Sequence, residues 1–289
     1  MTIYRAVIPA AGFGTRMLPA AKAIPKEMVP VVDKPAIQYV VEEAVQSGVT
    51  DVLIVTGRGK VAIEDHFDRL PELEACLEAR GKTEQLAKVL APAALARISF
   101  VRQQQALGLG HAVGCAKGFT GSEPFFVLLP DDLVLSEVPV CRQLLAMMQS
   151  PSESVIAVQR IPLEDTEKYG VVSIDEATGL IKGIVEKPRP SEAPSNLAVV
   201  GRYLLQPEVF RHLEQLTPGA GGELQLTDAL ASMIKAGLPL RACEFVGQRF
   251  DTGNPLGLLE ANIGMALSRP DMRDRVLEIL ATPSARDGA

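Results

Sequence analysis

No stretch of this chain approaches the roughly 20 consecutive apolar residues that a helix needs to cross a bilayer, and no charged segment followed by a secretory apolar run opens it. The expectation is a cytoplasmic protein without a membrane partner. Cysteine and histidine are sparse. Cys76, Cys115, Cys141 and Cys243 lie far apart, as do His66, His111 and His212, so neither set has the spacing of a disulfide framework or a zinc site. Basic residues are in the minority, with 29 Lys and Arg against 35 Asp and Glu and a net charge of -6. That balance argues against whole-surface attraction to nucleic acid or anionic lipid, while a local basic cleft could still take phosphate. Internal repeats are absent as well.

What is present suits a globular protein. A chain of 289 residues, 47% hydrophobic and 22% charged, can bury a sizeable core. One large α/β domain is the preferred reading. Residues 3 to 9 form an apolar run that leads into a Gly-containing loop, as a buried parallel strand does. From Pro35 the period changes, and Ile37, Val40, Val41, Ala44 and Val45 mark one face of a helix that ends near Gly48. Further strand-like runs follow at Val52 to Val55, Ile98 to Val101, Phe125 to Leu129 and Val155 to Val158, with helical patterns between most of them. Such alternation implies right-handed crossovers and a mainly parallel sheet flanked by helices, a Rossmann-like α/β fold. After Tyr169, short segments between Gly and Pro predict a small antiparallel addition. The Glu- and Leu-rich stretch from Lys60 to Leu95 reads as a surface helical insertion without chemistry, and residues 281 to 289 as a flexible tail.

Between the first strand and the first helix lies PAAGFGTRMLPAAKAIPKEMVPVVDK, residues 9 to 34, too long for an ordinary βα connection. Gly12 and Gly14 remove side chains where backbone amides could approach a nucleotide, and Thr15, Arg16, Lys22 and Lys26 supply donors and positive charge. Pro19, Pro25 and Pro30 are expected to hold the segment extended, so that Arg16 and Lys26 converge from different directions. Two familiar phosphate loops are excluded. The dinucleotide fingerprint needs a third Gly where Met17 stands, and a P-loop needs a Gly-Lys-Ser/Thr ending.

The string GxGTRxLP followed by PKEMVP resembles the signature of the sugar-1-phosphate nucleotidylyltransferases. The resemblance continues through VRQQQALGLGHAV (101 to 113), LLPDD (128 to 132), KYGVVS (168 to 173), VEKP (185 to 188), GRYLL (201 to 205), GGELQLTDAL (221 to 230) and RFDTGN (249 to 254). Within the family it is nearest to the bacterial branch that joins UTP to glucose 1-phosphate. It implies a single nucleotidyltransferase domain over residues 1 to 280, with a nucleotide-binding part at about 1 to 135 and a sugar-phosphate-binding part at about 136 to 280. One departure is Ala21, where many relatives carry Thr.

Asp131 and Asp132 follow FFVLLP at the carboxyl end of a predicted central strand, the edge where open α/β sheets bind ligands. A carboxylate there suits Mg2+, which takes oxygen ligands and completes its shell with phosphates and water. The resemblance makes Asp131 and Asp251 the metal ligands and sets Asp132 beside the nucleotide. It also implies that Gln103 and Gly108 contact the base, together with backbone at Ala11 and Gly12, and that Glu27 reaches the nucleoside. Glu186 and Lys187 precede Pro188, which biases the backbone toward an extended form and lets both side chains face a cleft. By resemblance Glu186 binds sugar hydroxyls, Lys187 binds the phosphate, and Gly170 leaves room for the hexose. His111 is read as structural.

The reaction implied is in-line attack by an oxygen of glucose 1-phosphate on the α-phosphorus of UTP, giving UDP-glucose and pyrophosphate. A phosphate monoester with a second pKa of about 6 is already ionised at neutral pH, so no general base is needed. Repulsion between two polyanions is the obstacle, and Arg16, Lys26, Lys187 and Mg2+, held by Asp131, form the catalytic inventory. Two alternatives share the chemistry or the fold: a thymidylyltransferase or other sugar-1-phosphate nucleotidylyltransferase, and a non-catalytic nucleotide-sugar sensor. A homodimer or homotetramer is expected from the family.

Overall fold

The computed structural model describes residues 2–219 and 222–282. Its strands are β1 (Arg5–Ala10), β2 (Pro30–Val31), β3 (Lys34–Pro35), β4 (Asp51–Thr56), β5 (Arg97–Arg102), β6 (Phe125–Leu128), β7 (Asp132–Leu135), β8 (Ser154–Arg160), β9 (Gly170–Ile174), β10 (Ile181–Glu186), β11 (Leu197–Leu205), β12 (Leu240–Glu244) and β13 (Gln248–Asp251). The helices are α1 (Ala36–Gln46), α2 (Val61–Phe67), α3 (Pro71–Ala79), α4 (Thr83–Leu90), α5 (Leu109–Gly114), α6 (Lys117–Thr120), α7 (Val140–Met147), α8 (Val209–Leu213), α9 (Leu226–Lys235), α10 (Pro255–Ser268) and α11 (Arg273–Ala281). The expected tail thus contributes Ala281 to a helix, and its residues 283 to 289 lie outside the described residues.

The central sheet is mixed, as expected, and runs β10-β9-β11-β6-β1-β4-β5, with β8 against β11 and β12 against β8. Strand β1 pairs in parallel with β4 on one side and β6 on the other, and β4 pairs in parallel with β5. The chain therefore moves outward from β1 to β4 and β5, then returns to add β6 on the far side. At such a reversal the loops after adjacent strands splay apart and leave a crevice at their carboxyl ends. Antiparallel pairing begins at β11, which lies directly against β6 and carries β8 and β9. The antiparallel segments are thus continuous with the main sheet instead of packing beside it.

Period-two alternation divides the core between the two faces of the sheet. Ile8, Phe126 and Leu128 point to the face covered by Ile37, Val40 and Val41 of α1 and by Leu144 of α7. Val7, Phe125 and Val127 point to the other, packed by Val113 of α5, Phe210 of α8 and Leu230 and Met233 of α9. Both faces being covered is why β1, β4 and β6 read as continuous apolar runs. No helix among the described residues is long and apolar enough to cross a membrane.

All nine residues of β11 are buried, including Arg202 at 0% exposure. Its guanidinium donates from Nη2 to Glu43 Oε2 at 2.7 Å and to the Asp132 carbonyl at 2.7 Å, and from Nη1 to the Leu129 carbonyl at 3.2 Å. A charge this deep is tolerated because it is paired and its donors are used. The same interaction ties the turn after β6 to α1. Gly201, next to it, donates its N–H to Asp132 Oδ2 at 3.0 Å and accepts from the Leu129 N–H at 2.8 Å. A Cβ at Gly201 would fall 2.5 Å from Asp132 Oδ2 and 2.6 Å from Leu129 Cβ. Gly201→Ala should therefore push the 129–132 turn off β11 and cost about 1–3 kcal/mol, as overpacking does. Urea denaturation of the two proteins measures this, and equal stability would show that the turn yields freely.

Candidate active site

The loop after β1 is built from three 3-10 turns, Thr15–Met17, Ala20–Lys22 and Lys26–Met28. This corrects the expectation of an extended segment. Pro19 and Pro25 stand immediately before two of these turns, where a preset φ starts a turn as readily as it blocks a helix interior. The Leu18–Pro19 peptide is cis. Gly14, at φ 67°, opens the first turn, and its missing side chain leaves space that Lys26 fills, with Lys26 Cβ 3.2 Å from where a Cβ would stand. The loop so folded brings Arg16 and Lys26 to the end of β6. Lys26 Nζ is hydrogen-bonded to Asp131 Oδ2, while Arg16 lies 3.8 Å from Asp131 and 3.4 Å from Asp251.

Asp251 arrives by a separate route. Strand β13 pairs with β7 so that Asp251 stands opposite Asp132. Beyond it Thr252 donates from both N–H and Oγ1 to the Asp131 carbonyl, at 2.8 and 3.0 Å. A Cβ on Gly253 would lie 2.9 Å from Asp131 Oδ2, 2.9 Å from Asp251 Oδ1 and 2.6 Å from Arg16 Nη2. The two carboxylates and the guanidinium therefore converge on one small cradle that only glycine leaves open. Among the described residues no group of three or more acidic, His or Cys side chains forms a metal site. Two converging carboxylates nonetheless fit Mg2+, which binds through one or two carboxylates and takes its other ligands from phosphate and water. Burial pushes the Asp131 carboxyl up, but Lys26 and Arg16 outweigh it and hold the group below the usual carboxylate range. Burial likewise opposes the Lys26 charge, and Asp131 more than restores it.

Asp132 faces differently. Arg249 Nε donates to its Oδ1 at 2.6 Å and Gly201 occupies its Oδ2. Both carboxylate oxygens are used inside the protein, although the residue still borders the cleft. Arg249 also donates to the Tyr169 hydroxyl at 3.1 Å and lies 4.9 Å from that ring's centroid.

Two clefts flank this centre. One, of about 280 Å³, is lined by Arg16, Asp131, Asp251, Gly170, Glu186 and Lys187. There Thr227 donates from Oγ1 to Glu186 Oε2 at 2.8 Å, and Lys187 Nζ lies 3.4 Å from Glu186 Oε1. A Cβ on Gly170 would meet Thr227 Cγ2 at 2.8 Å, so its absence lets α9 close on β9. Lys187 is not extended, contrary to expectation. Its N–H still bonds the Tyr169 carbonyl at 3.0 Å, and then φ 46° turns the chain sharply before Pro188. Pro188 disfavours only the right-handed helical region, and a lysine held in the left-handed one stores local strain at the cleft edge.

The other cleft, of about 320 Å³, is lined by Ala11, Gly12, Lys26, Arg58, Lys60 and Gln103, among others. Lys26 borders this cleft and bonds Asp131 in the first, so the Lys26–Asp131 contact is the seam between them. Gly12 has nothing within 4 Å of a would-be Cβ, leaving its backbone open to a ligand. Thr15 is exposed, Gly108 receives a hydrogen bond from Gln103, and Glu27 lies below the floor at 2% exposure. These three and Gly14 support the clefts without lining them.

Lys60, Thr227, Arg249 and Tyr169 were missed as individual residues. The last three sit inside quoted strings. Lys60 opens the stretch assigned no chemistry, yet it is buried and donates to Glu27 Oε2 at 2.7 Å. Its signal was position, since Thr56-Gly-Arg-Gly-Lys60 follows β4 at the same carboxyl edge.

A model of the nucleotidyl transferase family matches residues 5–266. The chain belongs to this family. Over 281 residues it is 48% identical to the UTP–glucose-1-phosphate uridylyltransferase of Bacillus subtilis (strain 168), covering 96% of each chain. The enzyme of the same name from Staphylococcus haemolyticus is 49% identical over 96% of this chain and 97% of that one. Among solved structures, a UTP-bound UGPase from Acinetobacter baumannii superposes with a TM-score of 0.89 at 41% identity, covering 98% of this chain and all 100% of that one. A UDP-glucose pyrophosphorylase complexed with UDP-glucose gives 0.82 at 41% identity, over 93% and 100%.

The Glu27–Lys60 pair makes this nucleotidyl transferase sensitive at one point. Burial raises the Glu27 carboxyl above its ordinary range, with Lys60 opposing. Lys60→Met should remove that opposition, raise it further and destabilise the fold by about 3–5 kcal/mol. An acid with a raised folded pKa penalises folding only where it is forced to ionise. The loss should be smallest in acid, grow from the ordinary carboxylate pKa up to the raised one, and stay full above it. Urea denaturation at pH 5 and pH 7.5 checks the sign, and Lys60→Met/Glu27→Gln should recover much of the loss at the higher pH.

Proposed function

We propose that this nucleotidyl transferase moves uridylyl from UTP to glucose 1-phosphate, giving UDP-glucose and pyrophosphate. The observation that carries the reading is the seam: two clefts meet at Lys26 and Asp131, with Arg16 and Asp251 beside them. A nucleotide whose base enters the cleft at Gln103 brings its α-phosphate to this seam. A sugar phosphate held by Glu186 and Lys187 meets it from the other side. The substrates named for the relatives support the choice of UTP and glucose over the thymidylyl alternative. The sensor alternative is disfavoured because Arg16, Lys26, Asp131 and Lys187 are all retained.

Each side chain then has a defined task. Ala11 and Gly12 present open backbone to the nucleotide, and Gln103 faces the base edge. Gly14 and Thr15 shape the turn that carries Arg16, and Glu27 anchors the turn that carries Lys26 through Lys60. Arg16 and Lys26 stabilise the departing pyrophosphate, and Lys187 orients the incoming phosphate, whose oxygen is already ionised and needs no base. Asp131 and Asp251 would hold Mg2+, which when bound supplies positive charge to the phosphate oxygens. Asp132 acts through structure, fixing the 129–132 turn between Arg249 and Gly201. The nucleotide-binding part corresponds to residues 1 to about 135 and the sugar-phosphate part to about 136 to 280. Exposed Leu256, Leu259, Ile279 and Leu280 on the last two helices support the expected homodimer or homotetramer.

Pyrophosphate release measured across UTP, dTTP, CTP, ATP and GTP with glucose, galactose and mannose 1-phosphates should favour UTP with glucose 1-phosphate. A faster rate with another pair reassigns the substrate. Lys187→Ala should cut kcat by roughly 100-fold or more, the scale of removing one transition-state donor. It should also raise KM for glucose 1-phosphate while leaving UTP affinity within about twofold; unchanged kinetics would remove Lys187 from the site. Asp131→Asn should lower the rate and move the half-saturating magnesium concentration upward, which a magnesium titration of both proteins decides.

A further inference from the structure

His111 was expected to be structural, yet its ring reaches Gln103, the side chain that the proposed function sets at the base. Gln103 directly follows β5, with its N–H on the Thr56 carbonyl at 2.8 Å, and it is 7% exposed. Its Nε2 donates to the Gly108 carbonyl at 3.1 Å and lies 2.9 Å from His111 Nδ1. A carbonyl only accepts, so Gly108 dictates that the nitrogen end of the amide faces it. Turned over, the amide would set Oε1 against a carbonyl oxygen and a ring-nitrogen lone pair together. With the nitrogen end so placed, its second N–H meets Nδ1, which accepts it. Both Gln103 N–H groups are then used, and Oε1 is the group left for the cleft.

We infer that His111 is a positioning residue for nucleotide choice: through its Nδ1 it locks Gln103 with only an acceptor facing the pyrimidine. The inference rests on the reading that Gln103 meets the base of UTP. Uracil presents an N–H at N3, which Oε1 can accept. Cytosine presents a lone pair at that position, and two acceptors repel. The glycines around it keep the lock rigid. Gly108 has φ 103°, and a Cβ there would come within 2.9 Å of Glu223 Cβ, while one on Gly110 would meet the Leu224 carbonyl at 2.7 Å. The turn from Gly108 to His111 is thus clamped against the segment before α9, and the amide has a fixed partner on each side.

The test is the ratio of kcat/KM for UTP to that for CTP, with glucose 1-phosphate as co-substrate. His111→Leu keeps the volume and removes the acceptor, so the ratio should fall roughly fivefold to tenfold, the scale of one hydrogen bond. His111→Ala repeats the measurement with a smaller side chain. His111→Asn can place an amide oxygen near the position of Nδ1 and should keep the ratio within about twofold of the parent. A merely structural histidine would lower activity with both nucleotides alike, so an unchanged ratio in the Leu and Ala variants overturns the inference. Equal loss of the ratio in Leu, Ala and Asn variants overturns it too. Gln103→Ala separates the two levels. If that variant keeps the parent ratio, the placement of the base at Gln103 fails and the inference fails with it. If it collapses the ratio while His111→Leu does not, only the role of His111 is lost.

Discussion

A carboxylate held between two cations organises this molecule. Asp131 bonds Lys26 and lies 3.8 Å from Arg16, and each of the three comes from a segment with no reason of its own to be there. Lys26 and Arg16 belong to a long loop of short turns, held between its ends by buried Met17 and by the Glu27–Lys60 pair. Asp131 belongs to the turn after β6, pinned from below by Gly201 and Arg202 and from above by Thr252. Opposite charges in a partly dry crevice attract more strongly than they would in water, so the contact both closes the loop over the sheet edge and sets the seam between the two clefts.

The same charges account for the chemistry proposed. Two phosphorylated reactants repel, and a protein that lowers that repulsion needs fixed positive charge more than it needs a base. Lys26 is kept charged by Asp131, Arg16 lies beside Asp131 and Asp251, and under the proposed function phosphate oxygens take the place of those partners. The surrounding residues hold geometry. Arg249 and Gly201 occupy Asp132, Thr227 holds Glu186, and Lys60 holds Glu27, so each of these three carboxylates has a second residue fixing it.

Much of the frame was legible because the signals are local. An apolar run of six residues between a turn and a Gly-rich loop can do little but become a buried strand, and β1, β4, β5, β6 and β8 lie where such runs stood. The loop from 9 to 34 announced itself by length and by its basic residues. Its conformation did not, because proline constrains φ at one residue and is compatible with both extended chain and the start of a turn. Lys187 shows the same limit: Pro188 narrows its options, and only pairing of β10 with β9 up to the Lys187 N–H leaves the sharp left-handed turn. Lys60 was overlooked because it opens a Glu- and Leu-rich helical stretch without a chemical motif, and its partner Glu27 lies 33 positions away.

Residue order alone determined the strand and helix periods, the acidic surface, the phosphate-suited loop and the chemical types at the carboxyl edge, since each depends on neighbours within a few positions. Tertiary structure decided which carboxylate is available. Asp131 and Asp132 are adjacent and chemically identical, yet the turn between β6 and β7 leaves one against Lys26 and Arg16 and the other, where β7 begins, buried on Arg249. It also decided that His111 fixes Gln103 and that Asp251 joins Asp131. Those pairings arise from sheet register and a glycine-lined turn, quantities set by the packing of distant segments and so absent from any short window of sequence.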